Sequence, residues 1–266
     1  MNTRMPGEDE PYVVRTDQGG VATLTLNRAK QFNALSQAMI GALQGHLDAV
    51  SADAAVRVVV IAGAGKAFCA GHDLKEMRAN HDKAFMQDLF RRCGRMMMTL
   101  TQMPQPVIAR VHGIATAAGC QLVSMCDLAV AVDSARFATS GINVGLFCAT
   151  PGVGLSRNLG RKQALEMLLT GDFIDAQTAL QQGLVNRVVA SDALDVEVEQ
   201  LARSIIAKSS VAIGMGKQMF YKQLEMGLEA AYQYASEVMA CNMMTADAGE
   251  GIDAFIGKRA PVWSGR

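Results

Sequence analysis

A run of four apolar β-branched residues, followed at once by a glycine-containing loop, constrains this chain more than any other feature. The run spans residues 58–61 (VVVI), and Gly63 and Gly65 follow it. An unbroken apolar run predicts a strand that is buried on both faces, as in a parallel sheet. Loops just past the carboxyl ends of such strands are where open α/β proteins place their ligands. We therefore expect a binding site in the loop that contains Gly71 and ends before a helix at Leu74.

A second unit of the same kind follows. Residues 107–111 predict another buried strand, residues 112–116 a loop, and residues 120–126 an apolar helix entered through Ala118. The first N–H groups of a helix have no partner within the helix and carry partial positive charge. We hypothesise that the backbone N–H groups of His72 and Ala118 together form an oxyanion hole. A third strand at residues 128–132 extends the alternation of strands and helices, which predicts a largely parallel sheet.

The flanking segments give further predictions. Residues 12–15 and 21–26 alternate apolar with polar and predict a β-hairpin. Ser36 is expected to cap a helix that runs to about residue 52, and Asp192 to cap a helix over residues 193–208. A long helix is predicted over residues 82–102, and the last part of the chain is predicted to be helical, in segments 211–226, 229–244 and 245–256.

Composition limits the class of protein. The 266 residues have a formal net charge of zero and are 50% hydrophobic, which fits one globular domain and argues against a general binder of nucleic acid or membrane surfaces. None of the six cysteines forms a CxxC pair, and the acidic N-terminus is unlike a signal peptide, so we expect a reduced, cytoplasmic protein. No set of His, Cys and carboxylates has the spacing of metal ligands, and no apolar run is long enough to span a membrane.

Several fragments, in this order and spacing, resemble the crotonase, or enoyl-CoA hydratase/isomerase, superfamily. They are Asn33-Ala34-Leu35, GAGKAFCAGHDLKEM from Gly63, PVIARVHGIATAAGCQLVSMCDLAVA from Pro106, Asn143-Val144-Gly145, LTGDFIDAQTALQQGLVNRVV from Leu169, and Phe255 with Lys258-Arg259. The resemblance implies an α/β fold built as a spiral of ββα units over residues 1–190. It also implies a helical region at 191–266 that covers the active site and builds trimers, or hexamers made of two trimers. The implied ligand is an acyl-CoA thioester, with no cofactor beyond the coenzyme A of the substrate.

The resemblance also implies contacts with coenzyme A or its acyl group. The positions that match are Arg28, Lys30, Phe32, Ala70, Gly71, Asp73, Leu74, Gly141, Phe255 and Lys258. Other interpretations stay open for several of them. Arg28 and Lys30 also fit solvated surface cations, and Asp73 fits a helix N-cap. Phe255 also fits an aromatic residue buried in a helix contact, with Lys258 an exposed side chain.

The two glutamates with which the family's hydratases move protons are missing. The matching positions hold Gln121, which can orient a water but cannot take its proton, and Gly141, which has no side chain. No Asp or Glu occurs between Asp133 and Glu166. We therefore expect the chain to bind an enoyl-CoA or acyl-CoA thioester while hydration is weak or altered.

Two alternatives remain. A branch of the family that decarboxylates malonyl-type CoA esters shares the Gly-His-Asp sequence, so His72 is a candidate for holding a carboxylate or delivering a proton. That branch has a tyrosine where Cys148 is the nearest match, and we interpret Cys148 as an inert apolar cysteine. The second alternative is a non-catalytic protein that binds acyl-CoA.

Overall fold

The structure is a computed structural model that describes residues 10–266, and strands from two separate sheets alternate along residues 58–138. Residues 1–9, with most of the acidic N-terminal segment considered above, lie outside the described part. The strands are β1 (Val13–Gln18), β2 (Val21–Leu26), β3 (Val58–Gly63), β4 (Ala67–Cys69), β5 (Val107–Val111), β6 (Ile114–Thr116), β7 (Leu128–Val132), β8 (Arg136–Ala138), β9 (Ile174–Asp175) and β10 (Arg187–Val189). The helices are α1 (Gln37–Ser51), α2 (Leu74–Ala79), α3 (Lys83–Gln102), α4 (Ala118–Met125), α5 (Ala149–Asn158), α6 (Arg161–Thr170), α7 (Ala176–Gln182), α8 (Leu194–Ile206), α9 (Ser210–Gln223), α10 (Leu228–Met243) and α11 (Ala246–Ile256).

The strand order confirms the predicted spiral of ββα units. The larger sheet has the order β1-β2-β3-β5-β7-β10 and the smaller one β4-β6-β8-β9. The pairs are parallel except for the β1–β2 hairpin and the β8–β9 pair. Each of the units β3-β4-α2, β5-β6-α4 and β7-β8-α5 therefore sends its first strand to the larger sheet and its second to the smaller one.

The buried apolar runs explain the strands of the larger sheet. The first five residues of β3 are buried, and β5 and β7 each have four buried residues of five. Burial of each valine or isoleucine side chain in these strands stabilises the fold by roughly 1.5–3 kcal/mol. The three-residue strands β4, β6 and β8 were not predicted, and the segments at 67–69 and 114–116 had been interpreted as loops.

The predicted helices are confirmed, with corrections at their ends. Ser36 caps α1 by accepting a hydrogen bond from the Met39 amide, and Asp73 caps α2 through the amides of Lys75 and Glu76. The predicted cap at Asp192 is wrong, because this residue lies in a short 3₁₀ turn and Ala193 precedes α8 without a side-chain cap. Helix α4 begins at Ala118, two residues before the predicted start.

A buried ion pair joins helix α9 to the core. Its carboxylate is that of Asp127, which accepts a hydrogen bond from the Val107 amide at 2.6 Å. It also accepts from Lys217 Nζ at 2.6 Å and from the Tyr221 hydroxyl at 2.9 Å. The Lys217 ammonium additionally donates to the carbonyls of Leu100 and Gln105. This network holds α9 against the end of α3 and the turn that follows α4.

Candidate active site

A cavity of about 300 Å³ lies between the loop before α2, the start of α4 and the start of α5. Most of its lining is apolar, with His72, Ser140, Cys148 and Thr150 as the residues that carry polar side chains. The lining residues are Ala70, His72, Leu74, Met77, Phe90, Ala117, Ala118, Ser140, Gly141, Val144, Leu146, Phe147, Cys148, Ala149, Thr150 and Pro151. Five residues predicted for the site therefore line one cavity, namely Ala70, His72, Leu74, Ala118 and Gly141.

The segment that contains Ala70 and Gly71 is held in place by the loop around residue 33. The Ala70 amide donates to the Phe32 carbonyl at 3.0 Å, and the Leu35 amide donates to the Gly71 carbonyl at 2.7 Å. Asn33 is fully buried, and its Nδ2 donates to carbonyls of the residues that precede this segment, including that of Ala67 at 2.8 Å. The segment is thus a rigid part of the core rather than a free surface loop.

Gly71 brings this segment against the start of α4. Its φ is +88°, a conformation that residues with a side chain rarely adopt. A Cβ atom on Gly71 would lie 2.8 Å from the Cβ of Ala117, 3.0 Å from the Thr116 carbonyl oxygen and 3.2 Å from the Ala118 nitrogen. Only a residue without a side chain permits this approach. The two glycine-bearing segments predicted to converge therefore do so.

The start of α4 leaves an amide directed away from the helix. Ala117 has φ +50° and ψ −121°, and its amide donates to the Ala138 carbonyl at 3.0 Å. Ala118 is the first residue of α4, so its amide has no acceptor within the helix. Among residues 10–266, neither the His72 amide nor the Ala118 amide donates to a backbone carbonyl.

The imidazole of His72 is held in one orientation. Its Nδ1 lies 3.1 Å from the Leu35 carbonyl oxygen, and its ring makes an edge-on contact with Phe90 at 5.4 Å between centroids. A carbonyl oxygen only accepts, so Nδ1 carries the proton and Nε2 carries the lone pair. Burial lowers the pKa of His72 below its ordinary value, against a smaller opposite effect of the Leu35 hydrogen bond. The ring is therefore neutral near pH 7.

The described lining of the cavity contains no charged side chain. Gln121, predicted to replace a glutamate, is 4% exposed and does not contribute to the lining, and its Oε1 has no hydrogen-bond partner among the described residues. Cys148 is buried, and burial raises the pKa of its thiol, which fits the inert cysteine that we predicted. His72 and Cys148 are thus the titratable groups of the described lining, and neither is a carboxylate.

The side chain of Arg28 already makes contacts within the chain. Its guanidinium stacks over the Tyr12 ring at 3.8 Å and donates to the carbonyls of Glu10, Pro11 and Asn27. Lys30 is exposed and Phe32 is 53% exposed, and neither lines the cavity.

The remaining predicted residues also lie outside the cavity lining. Asp73 is the α2 cap described above. Phe255 is 86% exposed, so its interpretation as a side chain buried in a helix contact is wrong within the single chain. Lys258 is exposed and has φ +53°.

Sequence reasoning missed most of the apolar lining. Met96 and Met97 are core residues, whereas Met77 and Phe90 line the cavity. Val144, Leu146 and Phe147, which are 47–61% exposed, were also missed. The sequence feature that could have indicated these three residues is that they flank Gly145 in an apolar cluster.

A search of residues 10–266 reveals no grouping of three or more His, Cys, Asp or Glu side chains suited to a metal ion. Over the same residues, none of the helices has the length and apolar character needed to cross a membrane.

Residues 16–266 match the family model described as enoyl-CoA hydratase/isomerase. The human enoyl-CoA hydratase domain-containing protein 3, mitochondrial, is 46% identical over 260 residues, which cover 97% of this chain and 85% of the relative. A crystal structure of an enoyl-CoA hydratase from Mycobacterium smegmatis superposes with a TM-score of 0.94 at 58% identity, covering 96% of this chain and 99% of the other. A crystal structure of human enoyl-CoA hydratase domain-containing protein 3 superposes with a TM-score of 0.92 at 44% identity, covering 95% of this chain and 100% of the other.

These names contradict the predicted cytoplasmic location. The human relative and its counterparts from rat, mouse, frog and zebrafish are all named as mitochondrial. The physical reason for the error is that reduced cysteines indicate a reducing compartment without distinguishing the cytoplasm from other reducing compartments.

The fold, the cavity and the comparisons agree. The family model covers residues 16–266, and the two solved structures superpose over 95–96% of the chain. This chain is a member of the enoyl-CoA hydratase/isomerase family.

Proposed function

We propose that this protein binds an acyl-CoA or enoyl-CoA thioester with the acyl chain in the 300 Å³ cavity. In this proposal the thioester oxygen accepts hydrogen bonds from the amides of His72 and Ala118. The observation that carries the proposal is the close approach of Gly71 to Ala118. It brings two amides, neither with a carbonyl partner among residues 10–266, to the wall of one apolar cavity.

Two amides at one oxygen favour chemistry that passes through an enolate. Negative charge that develops on the thioester oxygen is stabilised by fixed donors in a site of low dielectric, by roughly 3 kcal/mol for each donor. The start of α4 adds the partial positive charge of a helix N-terminus. The amides do this without movement, because Gly71, Ala117 and the Leu35 contact fix both segments.

Proton transfer is the step that this site supports poorly. Water addition to an enoyl thioester needs a base for the water and an acid for the α-carbon. The described lining offers a neutral imidazole and a thiol of raised pKa, and it contains no carboxylate. The proposed activity is therefore thioester binding and enolate stabilisation, with hydration that is weak or absent. This arrangement also favours the non-catalytic acyl-CoA-binding alternative over a typical hydratase.

We also propose contacts for the coenzyme A moiety. Lys30 and Phe32 lie on the exposed side of the loop that holds the Ala70 segment, so they are placed to meet a ligand that leaves the cavity there. Arg28 would have to give up contacts with Glu10 and Pro11 to join them. Phe255 and Lys258 are proposed to act on the ligand of a neighbouring subunit.

A trimer, or a hexamer of two trimers, is the proposed assembly. Its support is the set of large apolar side chains that the last three helices and the residue after α9 leave exposed. These are Phe220, Leu224, Leu228, Tyr232, Met239, Met243, Phe255 and Ile256. Exposed apolar area on this scale is typical of an interface. Light scattering after gel filtration measures the mass directly; a monomer would refute the assembly.

One experiment separates the functional alternatives. The protein is titrated with butyryl-CoA by calorimetry and then incubated with crotonyl-CoA and methylmalonyl-CoA, with products identified by mass spectrometry. We expect stoichiometric binding of butyryl-CoA and little turnover of either reactive ester. Absence of binding would refute the proposal, and release of CO₂ that His72→Ala abolishes would favour a decarboxylase.

A further inference from the structure

We propose that the cavity selects an apolar acyl chain of medium length, of octanoyl size or longer. Such a chain covers the outer wall of the cavity, which consists of four lining residues: Leu74, Val144, Leu146 and Phe147. This inference rests on the proposed function, because it presumes a thioester bound at the two amides. It deepens that function by naming the class of acyl group.

The outer wall is apolar and open to solvent. Its four side chains all line the cavity, yet they are between 47% and 61% exposed. Large apolar side chains grouped in this way typically mark a binding surface, since a ligand that covers them removes apolar area from water. Because the wall is continuous with the cavity that holds the proposed acyl group, the chain of that same ligand is the occupant we infer.

The inner end of the cavity is apolar as well. Leu74 and Met77 lie three residues apart on α2 and therefore share one face of that helix. Exposure falls from 53% at Leu74 to 9% at Met77, so this face runs from the mouth of the cavity to its interior. Phe90 also lines the cavity and contacts the ring of His72 edge-on. A chain of methylenes thus finds apolar surface along the whole path.

The volume of the cavity exceeds what a short acyl group fills. At about 300 Å³ it reaches the range of roughly 300–1,000 Å³ in which pockets bury drug-sized ligands. A butyryl group is much smaller than such a ligand, so it leaves the outer wall in water. Each further methylene that moves from water onto this wall raises the affinity by up to about fourfold.

The polar side chains of the lining do not require a polar acyl group. The Ser140 hydroxyl pairs with the Thr116 hydroxyl at 2.6 Å. Nε2 of His72 is inaccessible to solvent, so it is not presented to a ligand in the cavity. Thr150 is half-buried and its hydroxyl is not enclosed, so water can hydrogen-bond to it beside an apolar chain. The described lining also has no charged side chain that would favour a terminal carboxylate.

The test measures dissociation constants by calorimetry for butyryl-, hexanoyl-, octanoyl-, decanoyl- and dodecanoyl-CoA. We expect the constant to fall with every step at least as far as octanoyl-CoA. Phe147→Ser should reduce the ratio between the butyryl and decanoyl constants by roughly fivefold. Phe173→Ser is the matched control, because Phe173 is 48% exposed, against 49% for Phe147, but does not line the cavity. This control should keep the wild-type ratio.

A second readout uses the wild-type protein alone and covers the case in which Phe147→Ser does not fold. Burial of apolar surface on binding gives a negative change in heat capacity. We expect this change to become more negative with each added methylene and to level off at the same chain length as the affinity. A heat-capacity change that is independent of chain length would contradict the inference.

The other outcomes are distinct. Equal affinities along the series, or a ratio that Phe147→Ser leaves unchanged or that Phe173→Ser reduces equally, would overturn the inference. Decanoyl-CoA that still binds to Gly71→Ala would show adsorption elsewhere on the protein, with the same consequence. A lower mass of Phe147→Ser in light scattering would assign the outer wall to a second copy of the chain instead. Failure of every ester to bind would refute the proposed function itself.

Discussion

The Sγ atom of Cys148 lies 2.7 Å from the position that a Cβ atom on Gly141 would occupy. The Leu146 carbonyl oxygen lies equally close to that position, and the Leu146 amide donates to the Gly141 carbonyl at 2.9 Å. The turn is therefore folded over Gly141 so tightly that no side chain fits. The resemblance to the family's hydratases implies a glutamate at this position, so the second carboxylate is not only missing here but is also sterically excluded.

Gly141→Glu is therefore expected to destabilise the fold without restoring hydration. Overpacking of this kind costs about 1–3 kcal/mol, which chemical denaturation measures. Combining it with Cys148→Ala should recover part of the loss, because the sulfur is removed while the Leu146 carbonyl remains. A single Gly141→Glu variant as stable as the wild type would show that the turn opens easily and would contradict this reading.

Gln121→Glu should behave differently, since the two side chains have nearly the same shape. The new carboxyl is buried near no described cation, so its pKa is raised above the unfolded value of about 4.3. Deprotonation then favours the unfolded chain, and stability falls as pH rises from about 4.3 towards the folded pKa. Hydration of crotonyl-CoA should stay at the wild-type rate, because residue 121 does not line the cavity. Gln121→Met is the uncharged control: its stability should not fall over the same pH range, and a fall in that variant would rule out the carboxyl as the cause.

Gly71→Ala is predicted to abolish thioester binding. The added methyl group would push the Ala118 amide away, in addition to the strain of a side chain at φ +88°. Gly183→Ala is a matched control, because its φ is +87° and its Cβ would meet only the Asn158 carbonyl, at 3.3 Å. Calorimetry with butyryl-CoA should show no binding in the first variant and wild-type binding in the second. Loss of binding in both would point to backbone strain alone.

The lowered pKa of His72 predicts a specific sensitivity to acid. The unfolded chain protonates this imidazole near pH 6.5, whereas the folded protein, with its lower pKa, does so only at more acidic pH. Stability should therefore decline as pH falls below about 6.5, with His112 contributing in the same direction because burial lowers its pKa also. His72→Phe should flatten the decline between pH 7 and pH 5.5 in thermal unfolding, and His81→Phe, at an exposed position, should not.

The sequence predicted the large sheet well because its strands are long apolar runs. Strands β3 and β5 could be recognised from their runs of apolar residues, and the glycine-containing loops after them indicated where to expect a site. The small sheet could not be predicted in the same way, since β4, β6 and β8 have three residues each and take their partners from distant parts of the chain.

The sequence predicted that the Gly71 segment and the start of α4 converge, but it did not reveal most of the apolar residues that line the cavity. Gly71 and Ala118 were identified because close approach and a free helix start are properties of local sequence. The tautomer of His72 depends on the Leu35 carbonyl, 37 residues away, and the closure of Gly141 depends on where Cys148 packs. Such contacts belong to tertiary structure, so no local pattern reveals them.

The most direct test of the account is the rate at which the wild-type protein adds water to crotonyl-CoA, followed by the loss of the conjugated enoyl absorbance. We predict that the ester binds while turnover stays far below the roughly 1–10³ s⁻¹ typical of enzymes. Turnover within that range would contradict the claim that two amides without a carboxylate bind the thioester but do not hydrate it.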